Sequence, residues 1–374
     1  MPWLLRFLYH LLEPGAAFHP LECVLNYVLP AAFWLADGDW GARLAALVIW
    51  NATTQLALFV VLVNVPTFLT GHMSYVDIGW PTGLVLLGAN ALALGEAPLV
   101  HRLAVCVPML LHGLRMCLGA WFKFYMLPLR RSGDSSPLGF YFLRCFKEDL
   151  SRYAYAKDRW VEYLGPSAER FWWLKQQQDT LMQAYANSVV LAGPVFLVAT
   201  NAEPSYSVGW ALVGSACWAC CWILENTADL QMAAFVRKAK KDGDRTAVVG
   251  TAPYDGPEFW LWRLSRHPNY FFEWACWVSF VVIALPAFAQ FAADQGGFAA
   301  VAYAVLLLYC PRMFYDCLLY WTGAAPAEAR SVTKRPKFRQ HQAKTRVFFP
   351  FEMPTVPLIG WPDHHRSPGW PLEG

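Results

Sequence analysis

The stretch SRHPNYFFEWACWVSFVVIALPAFAQF, Ser265–Phe291, decides the fold. It begins where a polar, charged loop ends, and from Pro268 it runs apolar to Phe291, long enough to cross a bilayer as a helix. Proline suits the first helical position, because its missing N–H would have no partner there. His267 is then the expected cap residue, with Arg266 just outside the helix. Asn269, Tyr270 and Glu273 fall at i, i+1 and i+4, within one helical stripe. A carboxylate in the second turn of a membrane helix is costly to bury, so Glu273 is expected to face protein, cofactor or water. The plainer reading is a helix start whose interfacial residues reach back to water.

The whole chain agrees with a membrane helix at this point. Its 374 residues are 56% hydrophobic and only 15% charged, against roughly 25% in soluble domains. The expected fold is an all-α polytopic bundle of seven to eight transmembrane helices with a cytosol-facing cofactor cavity. A net charge of +3 on dispersed basic residues argues against nucleic acid as a partner. Cys217 and Cys220 form a CxxC inside the apolar run SACWACCW, where small packing residues are the expected reading, and no metal site follows. The chain carries no Walker A, GxGxxG or HExxH pattern, so any nucleotide is held outside a Rossmann domain.

Candidate spans fall at 22–36, 42–66, 82–96, 99–122, 181–200, 207–234, 268–291 and 299–322. Basic residues crowd the segments 123–175 and 236–266 and the tail from Arg330. Two spans separate each neighbouring pair of these segments, which puts all three on one side. The positive-inside rule makes that side cytosolic. Counting back places the 67–81 loop and the N-terminus there too. The segment 123–175, with KEDLSRYAYAKDRW, reads as interfacial or cytosolic helix. The expected organisation is N-terminal membrane helices over 1–73, a main membrane domain over 74–350, and a Pro-rich irregular tail over 351–374.

Four places set polar groups where they are expensive. One is the RHPNY stretch. A second is ENTADLQMAAFVRK, where Glu225 and Asp229 share a helix face at i, i+4 and repel unless a cation or donor lies between them. A third is TKRPKFRQHQAKTRVFFPF, whose cations suit phosphates, since Arg offers bidentate geometry, or an anionic lipid surface. The fourth is MSYVDIGWP, with Asp77 between apolar neighbours, read as a tight loop or a cap; Arg115, in the 99–122 span, is a conceivable partner for it. Acids, amides and a Tyr at three helix ends, with a basic tail able to fold over them, describe a nucleotide cavity open to an apolar substrate from the bilayer.

The strings SYVDIGWP, EDLSRY, ENTADLQ, LWRLSRHPNYFFEW, TGAAPAE and RPKFRQHQAKTRVFFP, in this order, resemble the steroid 5-alpha-reductase superfamily, and more closely its DUF1295-type subgroup. The resemblance covers most of the chain from about residue 74 to 350. It implies an NADPH-dependent reductase of a carbon–carbon double bond in a lipid-like substrate such as a sterol, enone or polyprenoid, placed in the endoplasmic reticulum membrane if the cell is eukaryotic. It implies a cofactor site lined by Asn269, Tyr270 and Glu273, with Asp229 as the acid of the preceding span and Glu225 one turn earlier. Arg266, His267, Arg335 and Arg339 complete the expected cofactor set, and Tyr75 and Asp77 are the candidates for the catalytic acid. Phe272 stands where the family usually has Gly, so its bulk is expected to narrow the nicotinamide end. Two rivals are a methyltransferase of the isoprenylcysteine type, which shares an RHPNY-like string and binds S-adenosylmethionine, and a non-catalytic lipid-binding protein.

Overall fold

The computed structural model describes residues 28–351, and every regular element in that range is helical. Seven helices are long and apolar enough to cross a membrane: α1 (Gly38–Thr70), α2 (Met73–Leu94), α3 (Leu99–Ser132), α6 (Pro166–Ala199), α7 (Val208–Lys241), α8 (Pro268–Gln295) and α9 (Gly297–Lys334). Between α3 and α6 lie the shorter α4 (Pro137–Arg144) and α5 (Ser151–Leu164), and α10 (Phe338–Lys344) follows α9. The protein is a multi-pass, all-helical membrane protein. Large apolar side chains such as Phe68, Leu118, Leu230 and Leu308 stand more than three-fifths exposed, as they would against hydrocarbon.

The spans differ in detail from the sequence reading. The stretch 67–81 is not a loop. Only Gly71 and His72 separate α1 from α2, and Asp77 and Pro81 lie inside α2. Gly71 closes α1 in the left-handed conformation, which a glycine adopts without strain. Of the expected 22–36 span, residues 22–27 and the N-terminus lie outside the described residues, and Leu29–Phe33 is a single 3-10 turn. The tail beyond Phe351 is likewise outside them. Two spans still separate the polar segments α3–α6, α7–α8 and the end of α9, the count that the expected alternation requires.

The chain divides into two compact units. The first holds Val28–Cys217 and Val278–Cys310. Its aromatic core gathers Phe59, Tyr75, Tyr141, Phe146 and Tyr153. Amide side chains lace its helices together, as expected where backbone groups have no water to bond. Gln55 donates to the Gly83 carbonyl at 2.7 Å, and Asn90 donates to Asn51 Oδ1 at 3.1 Å. Gly83 is required there, since a Cβ would stand 2.2 Å from Asn187 Nδ2 and 2.5 Å from Gln55 Oε1.

The second unit holds Trp218–Trp277 and, after Pro311, the end of the chain. Ala228, Phe235, Tyr254, Phe259 and Trp262 form its core, with Phe272 packed against them. Trp277 stacks on Phe314 at 4.3 Å. A bend at Thr322–Gly323 separates the last piece of α9, Ala324–Lys334, from the rest. Gly323 permits the bend, because a Cβ would meet the Leu318 carbonyl oxygen at 2.0 Å.

Candidate functional site

The nine residues expected around a cofactor all fall in the second unit, and they do three different things. Arg266 and His267 turn inward to an acid the sequence reading did not single out. Glu328, fully buried, accepts from Arg266 Nε at 2.7 Å and Nη2 at 3.2 Å, and from Gln342 Nε2 at 2.7 Å; His267 Nε2 lies 3.0 Å from its Oε1. Arg266 also donates to the carbonyls of Gln342, at 3.0 Å, and Thr345. The guanidinium spends four of its five N–H groups on one carboxylate and two carbonyls. Arg266 and His267, expected as cofactor residues, are thus placed in the site's frame.

That frame is a strap. The Arg266 N–H donates to the Arg346 carbonyl at 2.8 Å, and Ser265 Oγ donates to the carbonyls of Val347 and Phe348. Phe348 and Phe349, both buried, pack on Phe271 and Trp274 of α8. The basic segment after α9 thus folds back and is bound to the start of α8. Its apolar residues face in, while Arg339 and Lys344 stay exposed.

The second group stands on the surface of α7 and α8. Asn269 Nδ2 donates to Asp229 Oδ1 at 3.1 Å, which brings ENTADLQ and RHPNY side by side. Asp229 is exposed, and Asn269, Tyr270 and Glu273 are half-buried. Asn269 Oδ1 is buried and accepts no hydrogen bond among the described residues. Tyr270 stacks on the His267 ring at 5.2 Å with the planes 5° apart. Since His267 is held by Glu328, the buried acid orients the Tyr ring through it. Glu225 is buried one turn before Asp229. Phe272 spends its bulk on the Phe235–Trp262 core.

The third group is cationic. Arg335 is half-buried and Arg339 exposed, and neither has an ion-pair partner among the described residues. Burial, with the Arg330 charge adding to it, pulls the Arg335 guanidinium below its ordinary pKa. A desolvated cation beside another cation favours an anion.

Tyr75 and Asp77 belong to the first unit. Tyr75 is fully buried and donates to the Tyr141 carbonyl at 2.9 Å. Asp77 accepts from Tyr153 at 2.5 Å and pairs with Arg152 at 3.1 Å, in place of the conceivable partner Arg115. Three residues earlier, Ser74 Oγ and N–H both donate to Asp149 Oδ1. SYVDIGWP and EDLSRY are therefore two halves of one clamp, and this placement gives Tyr75 and Asp77 a structural task. Glu328, Gln342, Arg152 and Tyr153 lay unmarked inside strings that carried the resemblance. The available signal was an acid, Glu328, among the small residues of TGAAPAE.

A family model described as "Protein of unknown function (DUF1295)" matches residues 140–345, more than half of the chain. The chain belongs to the DUF1295 family. The match takes in α5–α10, and with them all nine candidate cofactor residues and the Arg266–Glu328 pair. No curated protein and no solved structure matches the chain.

Proposed function

We propose that this DUF1295 protein is a membrane-embedded, NADPH-dependent reductase of a carbon–carbon double bond in a lipid-like substrate. The reading is supported above all by the Asn269–Asp229 contact, which sets an amide, an acid and a buried unfilled acceptor on one face of α7 and α8. The resemblance of ENTADLQ and RHPNYFFE to steroid 5-alpha-reductases supports it as well. The donor set fits such a cofactor. Asn269 Oδ1 needs a donor that a carboxamide or ribose hydroxyl offers, Asp229 and Glu273 accept from hydroxyls, and Arg335 and Arg339 suit phosphates. The extra 2′-phosphate of NADPH matches that cationic side better than NADH does.

When bound, the nicotinamide supplies a hydride for the β-carbon of a conjugated alkene, and an acid protonates the other carbon. This chain's own residues bind and orient. Glu328 fixes His267, His267 fixes the Tyr270 ring, and the strap holds the cationic segment against α8.

The test is the melting temperature of the detergent-solubilised full chain, wild type and Glu273→Ala, alone and with NADPH, NADH or S-adenosylmethionine. A ligand at a hundred times its Kd stabilises by about 2.7 kcal/mol, which raises a melting temperature by several degrees. NADPH should raise the wild type more than NADH does, and raise Glu273→Ala little. A wild type indifferent to NADPH, an equal response in Glu273→Ala, or a response to S-adenosylmethionine alone would sink the reading.

A further inference from the structure

The first unit contains a cavity of roughly 650 Å³ that none of the candidate cofactor residues touches. Its walls are the C-terminal end of α1, the α1–α2 turn, and the α4 segment with the residue pairs flanking it. The polar wall carries His72, Arg144 and Lys147, together with Asp134. Arg144 pairs with Asp134 at 2.7 Å, and its remaining N–H groups donate to nothing among the described residues. Lys147 is exposed and has no acceptor there, and the His72 ring makes no hydrogen bond. Asp134 against Arg144 and Lys147 leaves the cavity positive by one charge, and the His72 ring adds a further polar group.

The other wall is apolar. Leu69 is 54% exposed and Leu143 56%, and both line the cavity. On the same two helices Phe68 and Leu138, outside the cavity lining, are 65% and 73% exposed. Helix α4 is amphipathic in the matching sense. Phe140 and Tyr141 are buried while Leu138 and Leu143 face out, and Ser136 caps its start. A helix of that kind lies in the plane of the headgroups with its apolar face in the acyl region. The α1–α2 turn marks the end of two spans, so the cavity stands at the same depth.

We propose that this cavity binds the phosphate head group of an anionic phospholipid, with Lys147, Arg144 and His72 on the phosphate and the acyl chains along Leu69 and Leu143. The charge excess calls for an anion, and Arg144 and Lys147 are the side chains that bond phosphate oxygens with charge assistance. The exposed leucines call for hydrocarbon on the same ligand, which inorganic phosphate lacks. The site is independent of the proposed reductase chemistry and stands or falls apart from it.

The test uses the full chain in phosphatidylcholine vesicles doped with a photoactivatable phosphatidylglycerol or, in parallel, a photoactivatable phosphatidylcholine. Cross-linked peptides are mapped by mass spectrometry. Phosphatidylglycerol should label peptides containing 69–72 and 138–147, and phosphatidylcholine should label them weakly. Lys147→Glu should lower the anionic labelling by about tenfold or more, from one lost charge-assisted bond and one added repulsion. Arg131→Glu removes an exposed cation outside the cavity and should leave labelling unchanged. Lys147 is exposed, so the melting temperature of Lys147→Glu should match wild type and separate lost binding from lost folding. Equal labelling by the two lipids, or equal labelling of wild type and Lys147→Glu, overturns the site. Displacement of the lipid by millimolar inorganic phosphate assigns the cations to a soluble anion and overturns the lipid as ligand.

Discussion

Replacing Glu328 by Ala should be among the most destabilising single changes in the second unit. The carboxylate is 0% exposed and engages Arg266 twice, His267 and Gln342 once each. Truncation leaves the Arg266 guanidinium, 2% exposed, buried without its carboxylate and with the carbonyls of Gln342 and Thr345 as acceptors. Removing one partner of a buried ion pair costs about 3–5 kcal/mol, because the other charge remains uncompensated. At about 2–4 °C per kcal/mol for a body of this size, the melting temperature should fall by about 6–20 °C. Glu328→Gln keeps the shape and one acceptor, but turns an NH2 toward donors, so it should lose about 1–3 kcal/mol. The double change Arg266→Met, Glu328→Met removes both charges and should recover most of the loss, since a buried pair is often matched by apolar residues of similar volume. The assay is tryptophan-fluorescence melting of the detergent-solubilised chain without nucleotide. A Glu328→Ala protein that melts like wild type, or a double variant no better than the single, would refute a buried, dry ion pair.

Two further outcomes follow from the same geometry. His341 is buried beside Arg266, Glu328 and His267, with Thr345 Oγ1 on its Nδ1; burial, then the Arg266 charge, holds its pKa down at about 4, with Glu328 acting against them. The unfolded chain therefore binds more protons between about pH 6.5 and 4, so the stability His341 contributes is complete above pH 6.5 and is lost as the pH falls through that window. Melting curves across this range should flatten in His341→Gln relative to wild type, and an unchanged slope would remove His341 as the cause. For topology, single-Cys labelling in sealed vesicles, after replacing the native thiols, should find positions Arg159 and Lys240 on the same side, the cytosolic one; opposite sides would break the two-span alternation.

Membrane insertion was legible from residue order alone, because hydrocarbon selects for length and hydropathy one segment at a time. Pro268–Gln295 needed no partner to be recognised as a span, and neither did α7 or α9. The cofactor candidates Asp229 and Asn269 were legible too, as polar groups at apolar helix ends, and they do meet. What residue order could not settle is which polar group belongs to which, since a buried charge is satisfied by whatever the fold carries to it from far along the chain. Asp77 looked like loop chemistry until α2 was seen to carry it to Arg152 and Tyr153. Arg266 and His267 read as cofactor residues in the sequence, and the bend at Gly323 carries Glu328 to them across 62 and 61 residues of sequence. Local hydropathy determined which segments leave water. Tertiary structure alone decided which charges they take along as pairs and which, such as Arg335 and Lys147, form no ion pair among the described residues.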